Sequence, residues 1–124
     1  MWCQNVGGIN IRKKIKFNDK QYNIGVYKYY DGKIKLKYEN KTESHDITLN
    51  LNDVFLEKGK ILIDPFLEKN GLLSVLLKDR IIKDIIYITY NYMDIPVAKL
   101  NMGVSKQYDK YGVLKYLEDK EESI

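Results

Sequence analysis

The chain has 124 residues, 44% of them hydrophobic and 31% charged, with a formal net charge of +4, which is enough apolar material for one domain with one core and no stapling. A single cysteine, Cys3, excludes an internal disulfide, and the charge-free stretch from Ile85 to Met93 is far too short to cross a bilayer. The opening Met1-Trp2-Cys3-Gln4-Asn5 has no basic region followed by an apolar one, so a cytoplasmic protein without membrane association is expected.

Residues 1–8, ending in Gly7-Gly8, read as a flexible N-terminus. A first strand then alternates, with Ile11, Ile15 and Phe17 opposed to Arg12, Lys14 and Lys16. A third alternates as strictly, with Ile34, Leu36 and Tyr38 opposed to Lys33, Lys35 and Lys37. Asp31-Gly32 reads as a two-residue hairpin turn with both positions at positive φ, which sets Tyr30 against Lys33 and Tyr27 against Leu36. A turn on Asp19 and Lys20 pairs Phe17 with Tyr22 and Ile15 with Ile24. These two registers conflict by one residue within the second strand, and a β-bulge at Gly25-Val26 reconciles them. The apolar face is then Ile11, Ile15, Phe17, Tyr22, Ile24, Tyr27, Tyr29, Ile34, Leu36 and Tyr38. The outer face collects Arg12, Lys14, Lys16, Lys28, Lys33, Lys35 and Lys37, with Tyr30 beside them. These eight are the candidate binding residues. Up to Tyr38 nine basic residues stand against two acids, so the rest of the chain is net acidic.

Ile47, Leu49 and Leu51 alternate with Asp46, Thr48 and Asn50 as a fourth strand, and Ile61-Leu62-Ile63 forms a fifth. Asp64-Pro65 begins a short helix over 65–70, closed by a left-handed Gly71 with Leu72 packed back on Leu67. Residues 72–83 fit a helix through Leu73, Leu76, Leu77 and Ile81, or a strand with a turn at Lys78-Asp79. Ile85 to Tyr92 reads as a central strand, apolar on both faces. A turn from Asp94 leads to a returning strand at Val97 to Met102. Tyr108, Tyr111, Leu114 and Leu117 recur at helical spacing after a capping Ser105, giving a C-terminal helix near 105–120 with a frayed acidic tail over 119–124. The expected fold class is α+β: one domain over 1–124, a twisted antiparallel sheet built from hairpins, and two helices.

One histidine and one cysteine, 42 positions apart, cannot supply the close-spaced ligands of a zinc site. Ser44-His45-Asp46 carries the letters of a catalytic triad, but adjacent residues cannot align hydroxyl, imidazole and carboxylate. No catalytic, cofactor or metal residue is expected. The eleven tyrosines serve a core or a recognition surface.

From Ile47-Thr48-Leu49-Asn50-Leu51 through Ile61-Leu62-Ile63-Asp64, Phe66-Leu67-Glu68-Lys69-Asn70-Gly71-Leu72 and the segment Tyr92 to Leu100 with Ile95-Pro96, the order of features resembles a family of small bacterial domains of unknown function carried on phages and plasmids. The likeness spans about residues 47–102 and breaks between Ser74 and Lys83, where that family has a Gly-rich, threonine-containing loop. It implies an accessory protein of a mobile element, a class that often binds and interferes with a host protein. The leading expectation is a non-enzymatic protein-interaction module, an inhibitor of a host defence or regulatory protein, with a host or phage protein as partner. Two others stand beside it: a nucleic-acid-binding module using the lysine face with Tyr30 stacking on a base, and a small-ligand binder or enzyme with a tyrosine-lined pocket.

Overall fold

The computed structural model describes residues 12–122, of which 119–122 by their backbone alone, so the readings for residues 1–8, Ile11 and 123–124 lie outside the described residues. The elements are β1 (Ile15–Phe17), β2 (Lys20–Lys28), β3 (Ile34–Glu39), β4 (Ser44–Asp46), β5 (Thr48–Leu49), β6 (Lys60–Ile63), α1 (Phe66–Lys69), α2 (Leu72–Lys78), β7 (Ile82–Tyr90), β8 (Met93–Leu100) and α3 (Met102–Glu122). They form an α+β fold with two antiparallel four-stranded sheets, ordered β1-β2-β3-β4 and β5-β6-β8-β7. Among the described residues no helix is long and apolar enough to cross a membrane.

The two sheets share a corner at Ile47. Its N–H donates to the Leu36 carbonyl (2.8 Å), and its own carbonyl accepts from the Asp64 N–H (3.0 Å). One residue thus ties the first sheet to the second, and the regular alternation expected from Asp46 to Leu51 breaks there. Both Ile47 and Thr48 are buried, and the Thr48 hydroxyl satisfies the Leu36 N–H at 3.2 Å. The main core lies between the sheets and the helices and draws on Ile15, Ile24, Leu36, Ile61, Ile63, Leu76, Ala98 and Val113.

The hairpins correct the strand register. Asn18 and Asp19, both at positive φ, form the first turn, so Ile15 faces Tyr22 and Phe17 faces Lys20. In the second hairpin, Gly32 alone has positive φ; the Gly32 N–H reaches the Tyr29 carbonyl and the Tyr29 N–H the Lys33 carbonyl. That is a three-residue loop, Tyr30-Asp31-Gly32, closed by a left-handed glycine, not a two-residue turn. The extra loop residue absorbs the one-residue conflict. The β2–β3 ladder consequently runs without interruption from Asn23–Glu39 to Lys28–Ile34, and there is no bulge at Gly25-Val26. Tyr22, Ile24 and Val26 form the inner face, whereas Tyr27 and Tyr29 belong to the outer one. Gly25 has another purpose: the Tyr27 ring folds back across it to Glu39, where a Cβ would meet the ring at 2.6 Å. Covering a strand glycine with an aromatic ring is a known stabilising device in sheets.

The bulge in this protein is in β7. Ile82 faces Leu100 and Lys83 faces Lys99, but Ile86 then faces Val97, so Asp84 and Ile85 together oppose Ala98. Asp84 takes φ +54 to make the bend. The third hairpin turns on Asn91 and Tyr92, again both at positive φ, rather than at Asp94. β7 lies at the sheet's edge, and the central position expected for it belongs to β8.

The short helix is present but spans Phe66–Lys69, with Pro65 as its N-cap and Asn70 as its C-cap; the Asp64 carboxylate accepts from the Phe66 N–H, and Gly71 is left-handed at φ +95. Residues 72–83 resolve into α2 and the start of β7, separated by Arg80 at φ +63, with the Ile81 N–H closing on the Leu76 carbonyl. α3 starts earlier than expected, with the Asn101 side chain accepting from the Val104 N–H; Ser105 is buried and is not the cap. At Asp109 (φ −154, ψ 80) the helix breaks. One carboxylate oxygen of Asp109 caps the second half by accepting from the Gly112 N–H (3.0 Å), and the other accepts from the Val26 N–H (2.9 Å). Ser105 and Tyr108 before the break and Val113 and Tyr116 after it are buried, while Tyr111 and Leu114 are exposed.

Candidate interaction surfaces

The eight candidate residues from the first sheet do not form a uniform basic face. Arg12 is a structural clasp: its Nε donates to the Tyr108 carbonyl and its Nη2 to the Ile24 carbonyl, each at 2.7 Å. Lys28 stands opposite Ile34 on the same side as Val26. Lys33 directs Nζ at the carbonyls of Leu51 (3.0 Å) and Val54 (3.1 Å), holding the 50–58 loop. Lys35 reaches over the Tyr29 ring, with Nζ 5.5 Å from its centroid, and Lys37 lies 3.8 Å from Asp46. Lys14 and Lys16 are exposed, and Tyr30 stands 90% exposed at the tip of the β2–β3 hairpin. Glu39 and Asp46 lie among these cations, so charge on the face is mixed.

At the far end of that sheet Glu43 gathers a polar cluster. Its carboxylate accepts from Lys20 Nζ (2.7 Å) and the Tyr22 hydroxyl (3.2 Å), and lies 2.8 Å from His45 Nε2. The hydrogen bonds from Lys20, then His45, pull its pKa down to about 2. On the outer face, the bond to Glu39 pushes the Tyr27 phenol up to about 12. The His45 ring stacks on Tyr38, while Ser44 points to Glu39 on the opposite side of β4, so the triad letters diverge as strand alternation requires. Among the described residues no group of three or more His, Cys, Asp or Glu is placed to hold a metal ion.

The second sheet carries a surface that period-two reading did not reveal. Its face away from the main core has Leu62, Ile95 and Val97 buried under the 50–58 loop, together with Leu49, Leu51, Val54, Leu56, Ile88 and Tyr90. The loop is pinned across the strands by Tyr90, whose hydroxyl bonds both carboxylate oxygens of Asp53 (2.9 and 3.0 Å) and has its pKa raised by that bond. Cover stops short of the edge strand. Leu49, Leu62, Val97 and Ile86 stand side by side across four strands, and the last is 54% exposed. Phe55, on the loop, is 87% exposed. Between them runs a groove of about 320 Å³, floored by Ile86, Ile88 and Val97 and walled by residues 54–57.

Two residues further along β6 and β8, and across the bulge in β7, Lys60 faces Lys99 and Lys99 faces Lys83, a row of three cations at the groove's end. The bulge at Asp84-Ile85 keeps Lys83 on the same face as Ile86. Each lysine lies two positions from an apolar residue of its strand or beside the bulge, but only the register, with a bulge no motif announces, brings the three together.

Comparison with models of known protein families, with characterised proteins and with solved structures finds no match to this chain.

Proposed function

We propose that this protein is a non-enzymatic interaction module that docks a partner protein on the outer face and edge of its second sheet. The observation that carries the reading is the apolar row from Leu49 to Ile86, which runs out to an edge strand and ends half-exposed beside Phe55. Soluble proteins commonly blunt such edges with charge or proline; from Ile85 to Tyr90 β7 has neither. Exposed apolar surface next to unpaired strand backbone is the arrangement used in recognition by strand addition. The class of partner, a host defence or regulatory protein, rests solely on the resemblance read in residues 47–102 of the sequence, which no family model matches. The nucleic-acid reading is weaker, because Arg12 and Lys33 are bound to main-chain carbonyls and acids interrupt the lysine face.

The test is affinity capture from a bacterial host lysate, with and without nuclease treatment, comparing the wild type with Phe55→Ser/Ile86→Thr. Both side chains are exposed, so the fold survives the change. The wild type retains a specific protein that the double variant loses. Equal retention by both, or retention that vanishes on nuclease digestion, overturns the proposal.

A further inference from the structure

We infer that the partner presents an acidic, extended strand that adds to the edge of β7 with its carboxylates against the row Lys60–Lys99–Lys83. The inference rests on the interaction reading above and supplies the partner's chemistry. Like charges placed directly opposite on neighbouring strands repel, and here three stand in line. Only Lys60 has an ion partner, Glu57 at 3.6 Å; among the described residues Lys83 and Lys99 have none, and both are exposed. The free protein therefore bears a repulsion that an anionic group would remove. The row ends at Lys83 on the edge strand. A strand added outside β7, about 4.8 Å further on, places one of its own residues next in that row. An acidic residue there meets Lys83, and alternate residues after it meet Ile86 and Ile88.

The bulge makes this geometry possible. Without it Lys83 would share a face with Ile85 and Tyr87, on the side that packs towards the core and α1, where the Tyr87 hydroxyl bonds Glu68 at 2.7 Å. With it, cations and apolar groove lie on one surface, and bulges are recurrent devices for re-aiming side chains at sheet edges. A polyanion such as nucleic acid would satisfy the lysines but not the apolar groove beside them, so an acidic-apolar peptide fits better.

The experiment is a selection of random 12-residue displayed peptides on the full chain, followed by fluorescence anisotropy of the winners. Selected peptides should concentrate Asp or Glu at one end and β-branched or aromatic residues at alternate positions after it. Lys83→Glu/Lys99→Glu, checked for folding by circular dichroism, should weaken them at least tenfold. Peptides with the acids replaced by lysine should bind that variant better than the wild type. Amide exchange should slow at Ile85 to Tyr90 on binding. Peptides that need Phe55 and Ile86 but show neither acidic enrichment nor sensitivity to the reversal overturn this inference and leave the interaction reading standing. No selection above background overturns both. Oligo-dT binding that is tighter than any peptide's and is lost on the same reversal overturns the peptide assignment in favour of nucleic acid.

Discussion

Gly112→Ala should destabilise this protein even though it places the best helix former in the second half of α3. A Cβ at position 112 would lie 2.3 Å from the Val26 carbonyl oxygen, and at 2.5 Å and 2.9 Å from two atoms of the Asp109 carboxylate. The oxygen belongs to the backbone of a paired strand and cannot rotate away, so the helix must move. Displacing it stretches the Val26 N–H and Gly112 N–H bonds to Asp109, now 2.9 and 3.0 Å. Overpacking of this kind costs about 1–3 kcal/mol, and a buried N–H deprived of its acceptor adds about 1–3 kcal/mol. The gain in helix propensity returns up to about 1 kcal/mol, so the net loss is about 1–5 kcal/mol. Urea denaturation followed by circular dichroism measures it, with Gly103→Ala as the matched control. At Gly103 the nearest atom to a new Cβ is the Asn101 side-chain oxygen at 3.7 Å, so the same substitution in the same helix should be neutral or stabilising. A Gly112→Ala variant as stable as the wild type would refute the close approach of α3 to β2 and the double role of Asp109.

Glu43→Gln should lower the melting temperature above pH 4.5 and have little effect near pH 2. The depressed folded-state pKa means that the carboxylate's stabilisation is present above its unfolded value and is lost as pH falls through about 2; a gap between the two melting curves that does not narrow from pH 4.5 to pH 2 refutes it. Tyr92→Gly should stabilise by about 1 kcal/mol, since a fully exposed tyrosine at φ +65 follows Asn91 in a turn that favours Asn-Gly; a loss in thermal denaturation would show that the ring is packed. Lys99→Gln should stabilise by about 0.2–1 kcal/mol at low salt by relieving the lysine row, with the gain shrinking as ionic strength rises. No gain at low salt would mean that the three cations do not repel.

The sequence was legible where one residue type dictates one local geometry. Pro65 and Gly71 marked the short helix, while the alternation in Ile34–Tyr38 and the apolar run Ile61–Ile63 marked strands. Register was not legible, because it depends on turns whose left-handed positions are held by Asn18, Asp19, Asn91 and Tyr92 as well as glycine. Assigning Asp31-Gly32 a two-residue turn displaced the β2–β3 pairing by one residue and sent Tyr27 and Tyr29 to the wrong face. The same error called for a bulge at Gly25, which is really the seat of the Tyr27 ring. Residues 85–90 looked central because they are apolar on both faces, yet β7 is an edge, and that mismatch between composition and position is what singles out the surface. The lysine row was invisible for the same reason as the register: Lys60, Lys83 and Lys99 are neighbours only across strands.

The sealing of β2 bears on stoichiometry. β1 covers only Lys20 to Tyr22, and beyond it the Ile24 carbonyl and Val26 N–H, which would otherwise greet another strand, are taken by Arg12 and Asp109. β4 offers three exposed residues and β5 only two. Among the described residues β7 is therefore the one long edge left open. A molecule with a single open edge cannot bridge two partners through its own sheets, so each chain takes up one strand. Complexes should stop at one partner per chain rather than grow into fibres, and calorimetric titration with a β7-binding peptide should give a stoichiometry of about one.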